Sequence, residues 1–291
     1  MIFVTGANGM VGSYLEEVFK KEELYLTDFN VDSKTAKINF LDIRDPEAVK
    51  KEIKKVRPQF VLHLAAKTDV DKCEIEVDDA YLTNVIGTQN ISLACQDLDA
   101  IMIYISTAGV FGGDKIEPYT EFDHPNPVNV YGRTKLEGEK IVQSLLNKYY
   151  IVRAGWMMGG REKDKKFVGK IVQLFKEKDK ILAVNDKIGS PTYAHDLLEG
   201  IKKLISTNYF GLYHMTNRGV CSRYDVAVEI GRILKKKIPV EPVSSALFPL
   251  PAPRARSEAM RNYKLELLGI VKMRTWQEAL KEYLKSWVEP K

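Results

Sequence analysis

Residues 1–5 form a short apolar run that meets a turn of three glycines, Gly6-x-x-Gly9-x-x-Gly12, and the turn opens directly onto a helical pattern. No other feature narrows the choice of fold so far. In a strand–turn–helix of this kind the first glycine permits the tight turn. The middle one lets a pyrophosphate approach the backbone, and the last lets helix and strand pack closely. The helix N-terminus offers unpaired N–H groups and the positive end of its dipole to phosphates. The first spacing is one residue longer than Gly-x-Gly-x-x-Gly, so an ordinary glycine-rich β–α turn remains the alternative. Position after the first strand, with a carboxylate, Asp28, ending the second, favours a dinucleotide site. Gly6, Asn8, Gly9, Met10, Val11 and Gly12 are then the expected cofactor contacts.

Further along, residues 24–27, 37–41, 60–64, 101–106 and 149–153 read as strands. Residues 11–21, 46–56, 79–96 and 130–146 read as helices, the third with a small-residue break at Gly87, and Asp45 is a good cap before Pro46. Alternation at this rhythm means βαβ units, right-handed crossovers and a doubly wound parallel sheet of Rossmann type, with ligands at the carboxyl ends of its strands. After residue 153 the pattern loosens. Helices are expected over 167–176, 222–234 and 276–287, short strands over 181–184 and 212–215, and an extended loop over 248–253, where prolines remove donors. The expected division is a dinucleotide-binding domain over 1–153 and a smaller, mainly substrate-binding lobe over 154–291, with some segments returning to the main sheet.

Composition excludes other classes. With 291 residues, 45% hydrophobic and 29% charged, the chain can bury one large α/β core. No apolar run is long enough to span a membrane, and the first residues read as structure rather than as a signal. A net charge of +5 is too mild to argue for nucleic acid. Cys73, Cys95 and Cys221 lack C-x-x-C spacing, which points to a reducing, cytoplasmic setting with no disulfide frame. His195 and His214 lack the spacing of metal ligands, so no metal is expected.

Asp28 is placed to accept hydrogen bonds from the adenosine ribose and to repel a 2′-phosphate, which leans slightly towards NAD. Lys20, Lys21, Lys34 and Asn30 offer ways to offset that lean, so NAD(P)H is the expected cofactor without a preference. Asp42, with Ile43, follows the third strand and reads equally as an adenine contact and as a helix cap. The chemistry is expected about a hundred residues on. Tyr131 and Lys135, four apart on a helix, share a face. A nearby ammonium stabilises phenolate and brings a phenol closer to working pH. Tyr131 would give a proton as hydride reaches a carbonyl carbon, Lys135 would also hold the nicotinamide ribose, and Thr107, just past a strand, would orient the substrate oxygen. His63 reads as a packed, neutral side chain.

These residues resemble a family. The signs are the glycine turn, His63-Leu64-Ala65-Ala66, Asn84-Val85-Ile86-Gly87-Thr88, Ser106-Thr107-Ala108-Gly109-Val110-Phe111-Gly112 and Tyr131-Gly132-Arg133-Thr134-Lys135, which together resemble the extended short-chain dehydrogenase/reductases. Within that group the chain is similar to the dTDP-4-dehydrorhamnose reductases. The further signs are Thr68-x-Val70-Asp71-Lys72-Cys73-Glu74, Arg153-Ala154-Gly155-Trp156, Gly189-Ser190-Pro191-Thr192-Tyr193, Gly211-Leu212-Tyr213-His214 and Pro251-Ala252-Pro253-Arg254. The resemblance implies NAD(P)H-dependent reduction of the C4 ketone of a dTDP-4-keto-6-deoxy sugar, with Thr107, Tyr131 and Lys135 catalytic. It implies cofactor contacts at the glycine turn, Asp42, Ile43, Ala65, Ala66, Lys67, Asn84, Tyr131 and Lys135, and substrate contacts at Thr68, Val70 and Trp156. Arg254 suits a diphosphate. A single chain and a homodimer are both compatible with the sequence.

Three departures stand out. Ala108-Gly109 replaces the Asp-Tyr usual after Ser-Thr, Ala255 follows Arg254 where proline is usual, and Tyr14 occupies the place of a magnesium-binding Glu in some relatives. Ala108-Gly109 cannot supply the acid and base of a 4,6-dehydratase. It also motivates an alternative: a relative of this family serves as the dinucleotide-binding regulatory subunit of a methionine adenosyltransferase. Another sugar-nucleotide reductase or epimerase is the remaining reading.

Overall fold

The apolar strand runs are buried from two sides because helices cover both faces of one sheet. In the computed structural model, which describes residues 1–31 and 37–288, the strands of this sheet are β1 (Ile2–Thr5), β2 (Leu24–Asp28), β3 (Ile38–Phe40), β4 (Phe60–His63), β5 (Ile101–Thr107), β6 (Tyr149–Ala154) and β7 (Gly211–His214). Their order is β7-β6-β5-β4-β1-β2-β3, and every neighbouring pair runs parallel. Side-chain alternation divides β1: Ile2 and Val4 enter one apolar core and Phe3 the other. This is a Rossmann-type α/β fold. The strand order reverses between β1 and β4, and the crevice between the loops that follow them is where such a sheet takes a ligand.

The helix Pro46–Val56 begins where its cap predicts. Asp45 accepts hydrogen bonds from the N–H groups of Glu47 and Ala48, both at 3.0 Å. The helix expected over 11–21 is much shorter: a 3₁₀ turn, Gly12–Tyr14, runs into one α turn, Leu15–Val18. Its inward face is the expected one, with Leu15, Val18 and Phe19 buried. Where it ends, Lys202, on the helix Ala194–Ile205, donates to the Val18 carbonyl at 2.7 Å and satisfies a terminal acceptor. The long helix expected over 79–96 divides into Val77–Tyr81, a π turn Leu82–Ile86, and Gly87–Leu98. Gly87 lets Ile43 pack close there, since a Cβ would lie 2.6 Å from Ile43 Cδ1 and push that side chain aside.

Helices Val70–Ile75, Ala194–Ile205 and Tyr263–Leu268 add to the expected elements. Beyond β6, Gly211–His214 joins the main sheet, and residues of the helices Phe167–Glu177, Ala194–Ile205 and Trp276–Val288 share the β1 core. Three small sheets accompany the main one among the described residues, one of them the pair Met157–Met158 and Thr192–Tyr193. Ile188–Gly189 lies between Cys221–Ser222 and Ser257–Glu258, and Ile181–Val184 pairs with Val240–Val243. No described helix is long and apolar enough to cross a membrane.

Candidate active site

The glycine loop is built by close approach. Gly6 has φ +71°, and a Cβ there would stand 2.6 Å from the Ala65 nitrogen, so the loop lies directly on the segment after β4. At Gly12 a Cβ would meet the Ala7 carbonyl oxygen at 1.9 Å. Gly9 differs: only the Gly6 carbonyl comes near its Cβ position, at 3.3 Å. The loop is therefore filled behind and open at its middle glycine, a cradle that fits a pyrophosphate.

Asp28 has a task that spacing did not reveal. One carboxylate oxygen accepts from the Asn8 N–H at 2.9 Å and the other from the Asn30 N–H at 2.7 Å. It ties the glycine loop to β2, and its remaining lone pairs are those free for ribose hydroxyls. Lys20 and Lys21 are exposed, while Lys34 lies outside the described residues. Asp42 is not the helix cap, since Asp45 takes that place. Arg44 grips it, with Nη2 at 2.7 Å and Nε at 2.9 Å, and holds its carboxyl below the usual range. Arg44 also reaches Asp79 and lies over Phe29. Ile43 is buried against Gly87, a core position rather than an open adenine wall.

Ala65, Ala66 and Lys67 follow β4 beside the glycine loop. Asn84, in the π turn, is fully buried and holds this segment: its Oδ1 accepts from the Lys67 N–H at 2.8 Å, and its Nδ2 donates to the Lys67 carbonyl at 3.1 Å and to Thr134 Oγ1 at 3.0 Å. With its amide occupied by protein, Asn84 positions the loop rather than contacting a cofactor through that group. The Lys67 ammonium is paired with Glu76 and Asp79.

Thr107 ends β5, and Tyr131 stands in the first turn of the helix Val130–Leu145, which Asn129 caps through the Gly132 N–H at 2.8 Å. Gly132 lets this helix start against the strand end, because a Cβ there would meet the Gly109 carbonyl oxygen at 2.1 Å. Thr107 Oγ1 and Tyr131 Cδ1 lie 3.4 and 3.7 Å from the position of a Gly109 Cβ. The Thr107 side chain and the ring edge of Tyr131 therefore lie on either side of Gly109, whose N–H donates to Thr107 Oγ1 at 3.0 Å. Ala108 is buried, its Cβ 3.4 Å from the position of a Gly155 Cβ.

The expected acidification of Tyr131 by Lys135 is not what the geometry produces. Burial pushes the phenol up to about 12, with a hydrogen bond from Thr107 pulling the other way. Lys135 is buried with its ammonium 4.0 Å from the centroid of the Tyr104 ring, and burial lowers it to about 7 against the pull of Glu139. A protonated phenol is the form a proton donor needs, so the arrangement still suits reduction.

A folded pKa near 7 against an ordinary 10.5 makes the unfolded chain bind the extra proton between those values, so the cost of burying this cation is full below pH 7 and fades as pH rises towards 10.5. Lys135→Met is expected to stabilise the protein by about 1–4 kcal/mol at pH 6.5. The gain should shrink by pH 9, while turnover is lost. Urea unfolding at the two pH values checks this; a destabilised variant, or a gain that grows with pH, would contradict it.

The helix face continues one turn further than the motif. Glu139, four residues after Lys135, forms a buried ion pair with Arg153 at 2.6 Å and accepts from Ser106, the residue before Thr107. The same i+4 spacing that flags Tyr131 and Lys135 reaches Glu139, and it is the signal that could have found it. His63 is a packed neutral ring: Thr5 and Thr88 hold its two nitrogens, and burial lowers it to about 3.

Across the crevice, Thr68 is held by Lys166 Nζ, 3.0 Å from its carbonyl oxygen, and Val70 opens the short helix Val70–Ile75. Trp156 follows β6 with φ 31°, a left-handed conformation that costs a bulky residue about 1–3 kcal/mol. It lays the indole where a Gly189 Cβ would stand, 2.3 Å from Trp156 Cε2, and its Nε1 donates to Glu258 at 3.0 Å. Arg254 is not a free anion hook: it pairs with Asp71 at 2.9 Å and donates to the Ala252 carbonyl. Cys73 packs in the cluster that Tyr131 lies against. Its thiol donates to the Lys67 carbonyl and burial pushes it up to about 11, so it is neither nucleophile nor base at neutral pH. Tyr14 is buried, its hydroxyl accepting from the Gly160 N–H at 2.9 Å.

The geometry matches a known family. The model for the RmlD substrate binding domain covers residues 1–288. The chain belongs to this family. It is similar to the spore coat polysaccharide biosynthesis protein SpsK of Bacillus subtilis, 34% identical across 98% of this chain and 96% of that protein. A solved dTDP-4-dehydrorhamnose reductase from Clostridium acetobutylicum is 39% identical, covers 98% of both chains and superposes with a TM-score of 0.89. The dTDP-4-dehydrorhamnose reductase of Bacillus anthracis, solved in complex with NADP, is 38% identical over 97% of this chain and 98% of that one, with a TM-score of 0.87. The likeness spans both the glycine-loop half and the lobe that carries Trp156, and it makes the chain an extended short-chain dehydrogenase/reductase.

Proposed function

We propose that this chain is an NAD(P)H-dependent reductase of the C4 ketone of a dTDP-4-keto-6-deoxy sugar, turning dTDP-4-dehydrorhamnose into dTDP-L-rhamnose, with Tyr131 as proton donor. The observation that carries the reading is the placing of Thr107, at the end of β5, beside the ring of Tyr131 in the first turn of the next helix, in a chain whose full-length relatives include dTDP-4-dehydrorhamnose reductases. When bound, the reduced nicotinamide supplies hydride. The N–H groups around Gly9, the remaining lone pairs of Asp28, the Ala65–Lys67 segment and the Lys135 ammonium would hold the dinucleotide. Thr107 donates a hydrogen bond to the ketone oxygen and fixes its direction. Tyr131 gives its proton to that oxygen as charge develops there; a phenol near 12 remains a stronger acid than the carbinol it forms. Trp156 walls the sugar.

Reduction needs one hydride and one proton, which this set provides. Epimerisation at a carbon next to the ketone would need a further base to move a proton there, and the Cys73 thiol, pushed up to about 11, is not ionised at neutral pH to supply one. The Ala108-Gly109 departure leaves Thr107, Tyr131 and Lys135 in place, so it does not favour a purely regulatory role. The three unpaired, buried thiols suit the cytoplasm, which keeps thiols reduced. The test is to mix the protein with NADPH or NADH and the dTDP-4-keto-6-deoxy sugar. Reduced-nicotinamide absorbance should fall in step with formation of the 6-deoxyhexose. No oxidation of either cofactor would reject the reading.

A further inference from the structure

Arg223 opens the helix Arg223–Ile233 directly after the strand Cys221–Ser222. Its guanidinium carbon lies 3.5 Å from the centroid of the Trp156 ring and 4.9 Å from that of Phe167. Stacked in this way, a guanidinium keeps its N–H groups pointing outward in its own plane, ready for an anion. No hydrogen-bonded acceptor among the described residues holds it. Glu258 acts on it only at a distance and already accepts from the indole of Trp156, while Arg254, a second nearby cation, is paired with Asp71. Burial lowers the guanidinium to about 10. A desolvated cation without a counter-ion is costly, and the cost is relieved when an anion arrives.

Its place fits the crevice. Phe167 begins the helix whose preceding residue, Lys166, reaches Thr68, and Arg254 reaches Asp71, so two bridging contacts flank the Arg223 stack. The field of Glu258 also reaches Tyr131, which puts the stack and the proton donor around one carboxylate. A planar guanidinium fork suits bidentate recognition of phosphate oxygens.

We propose that Arg223, lying flat on Trp156, seats the diphosphate of the nucleotide-linked sugar. The inference rests on the reading that the substrate is such a sugar. It is tested by titrating the full chain with thymidine diphosphate, by calorimetry, in wild type, Arg223→Met and Arg223→Lys, alongside NADPH affinity, thermal midpoint and the KM for the keto-sugar nucleotide. Arg223→Met should weaken diphosphate binding and raise KM by about 10- to 100-fold, the loss of a hydrogen-bonded charge partner. Arg223→Lys, a point charge without the fork, should recover part of that. NADPH affinity should stay at the wild-type value, and the Arg223→Met midpoint should be no lower than that of wild type. Wild-type binding retained by Arg223→Met overturns the inference and leaves the reductase reading standing. A variant that loses NADPH affinity and midpoint together with diphosphate binding marks Arg223 as a packing residue and also overturns it. A wild type that binds no thymidine diphosphate and oxidises no NADPH with the keto sugar removes the reading beneath it.

Discussion

Tyr131→Phe is expected to lower turnover by about 10²- to 10⁴-fold, the usual worth of a positioned proton donor, while NADPH binds as before. The substitution removes one hydroxyl and keeps the ring that packs against Cys73, Ala80 and Val130. The helix start rests on Asn129 and Gly132, which are untouched. Stability should therefore hardly change, and the loss should fall on kcat more than on KM, because the proton matters only as charge grows on the ketone oxygen. Steady-state kinetics with NADPH titrations check both halves. Turnover within threefold of wild type would show that another group delivers the proton.

Glu139→Ala should be the most destabilising single change near the site. It strands the Arg153 guanidinium, whose Nη1 is already buried without a partner among the described residues, and takes the acceptor from Ser106. Breaking a buried pair from one side costs about 3–5 kcal/mol, because a charge is left behind without compensation. For a chain of this size that corresponds to a midpoint lower by roughly 6–20 °C. The double variant Glu139→Met with Arg153→Met should recover most of the loss, since well-packed apolar residues replace a buried pair at little cost. Calorimetric scans of wild type, single and double variants decide it. A single variant within 1 °C of wild type, or a double variant worse than the single, would contradict the account.

Features that act within a few residues were legible in advance. The glycine loop, the Asp45 cap, the Tyr131/Lys135 face and the parallel α/β alternation follow from spacing and from handed crossovers. What escaped depends on residues far apart in sequence. Lys202 caps the end of the first helix from 184 residues away. The resemblance implies a cofactor contact at Asn84, and nothing local in the sequence shows that Lys67 and Thr134 bond its amide. Arg254 was read as a diphosphate hook, and Asp71, brought beside it by the fold, takes its charge. Arg223 gave no signal, since an arginine after a serine cap is ordinary until Trp156 is found beneath it. The acidity of Tyr131 went the other way from expectation because spacing shows the neighbouring lysine and not the burial of both groups.

The central claim is that Tyr131 and Thr107 serve one substrate oxygen, and a crystal structure with NADP⁺ and the dTDP-linked 6-deoxyhexose tests it most directly. The account predicts the sugar O4 within about 2.6–3.2 Å of both Tyr131 Oη and Thr107 Oγ1. A sugar whose O4 lies beyond hydrogen-bond reach of the Tyr131 hydroxyl, with both ligands bound, would contradict it.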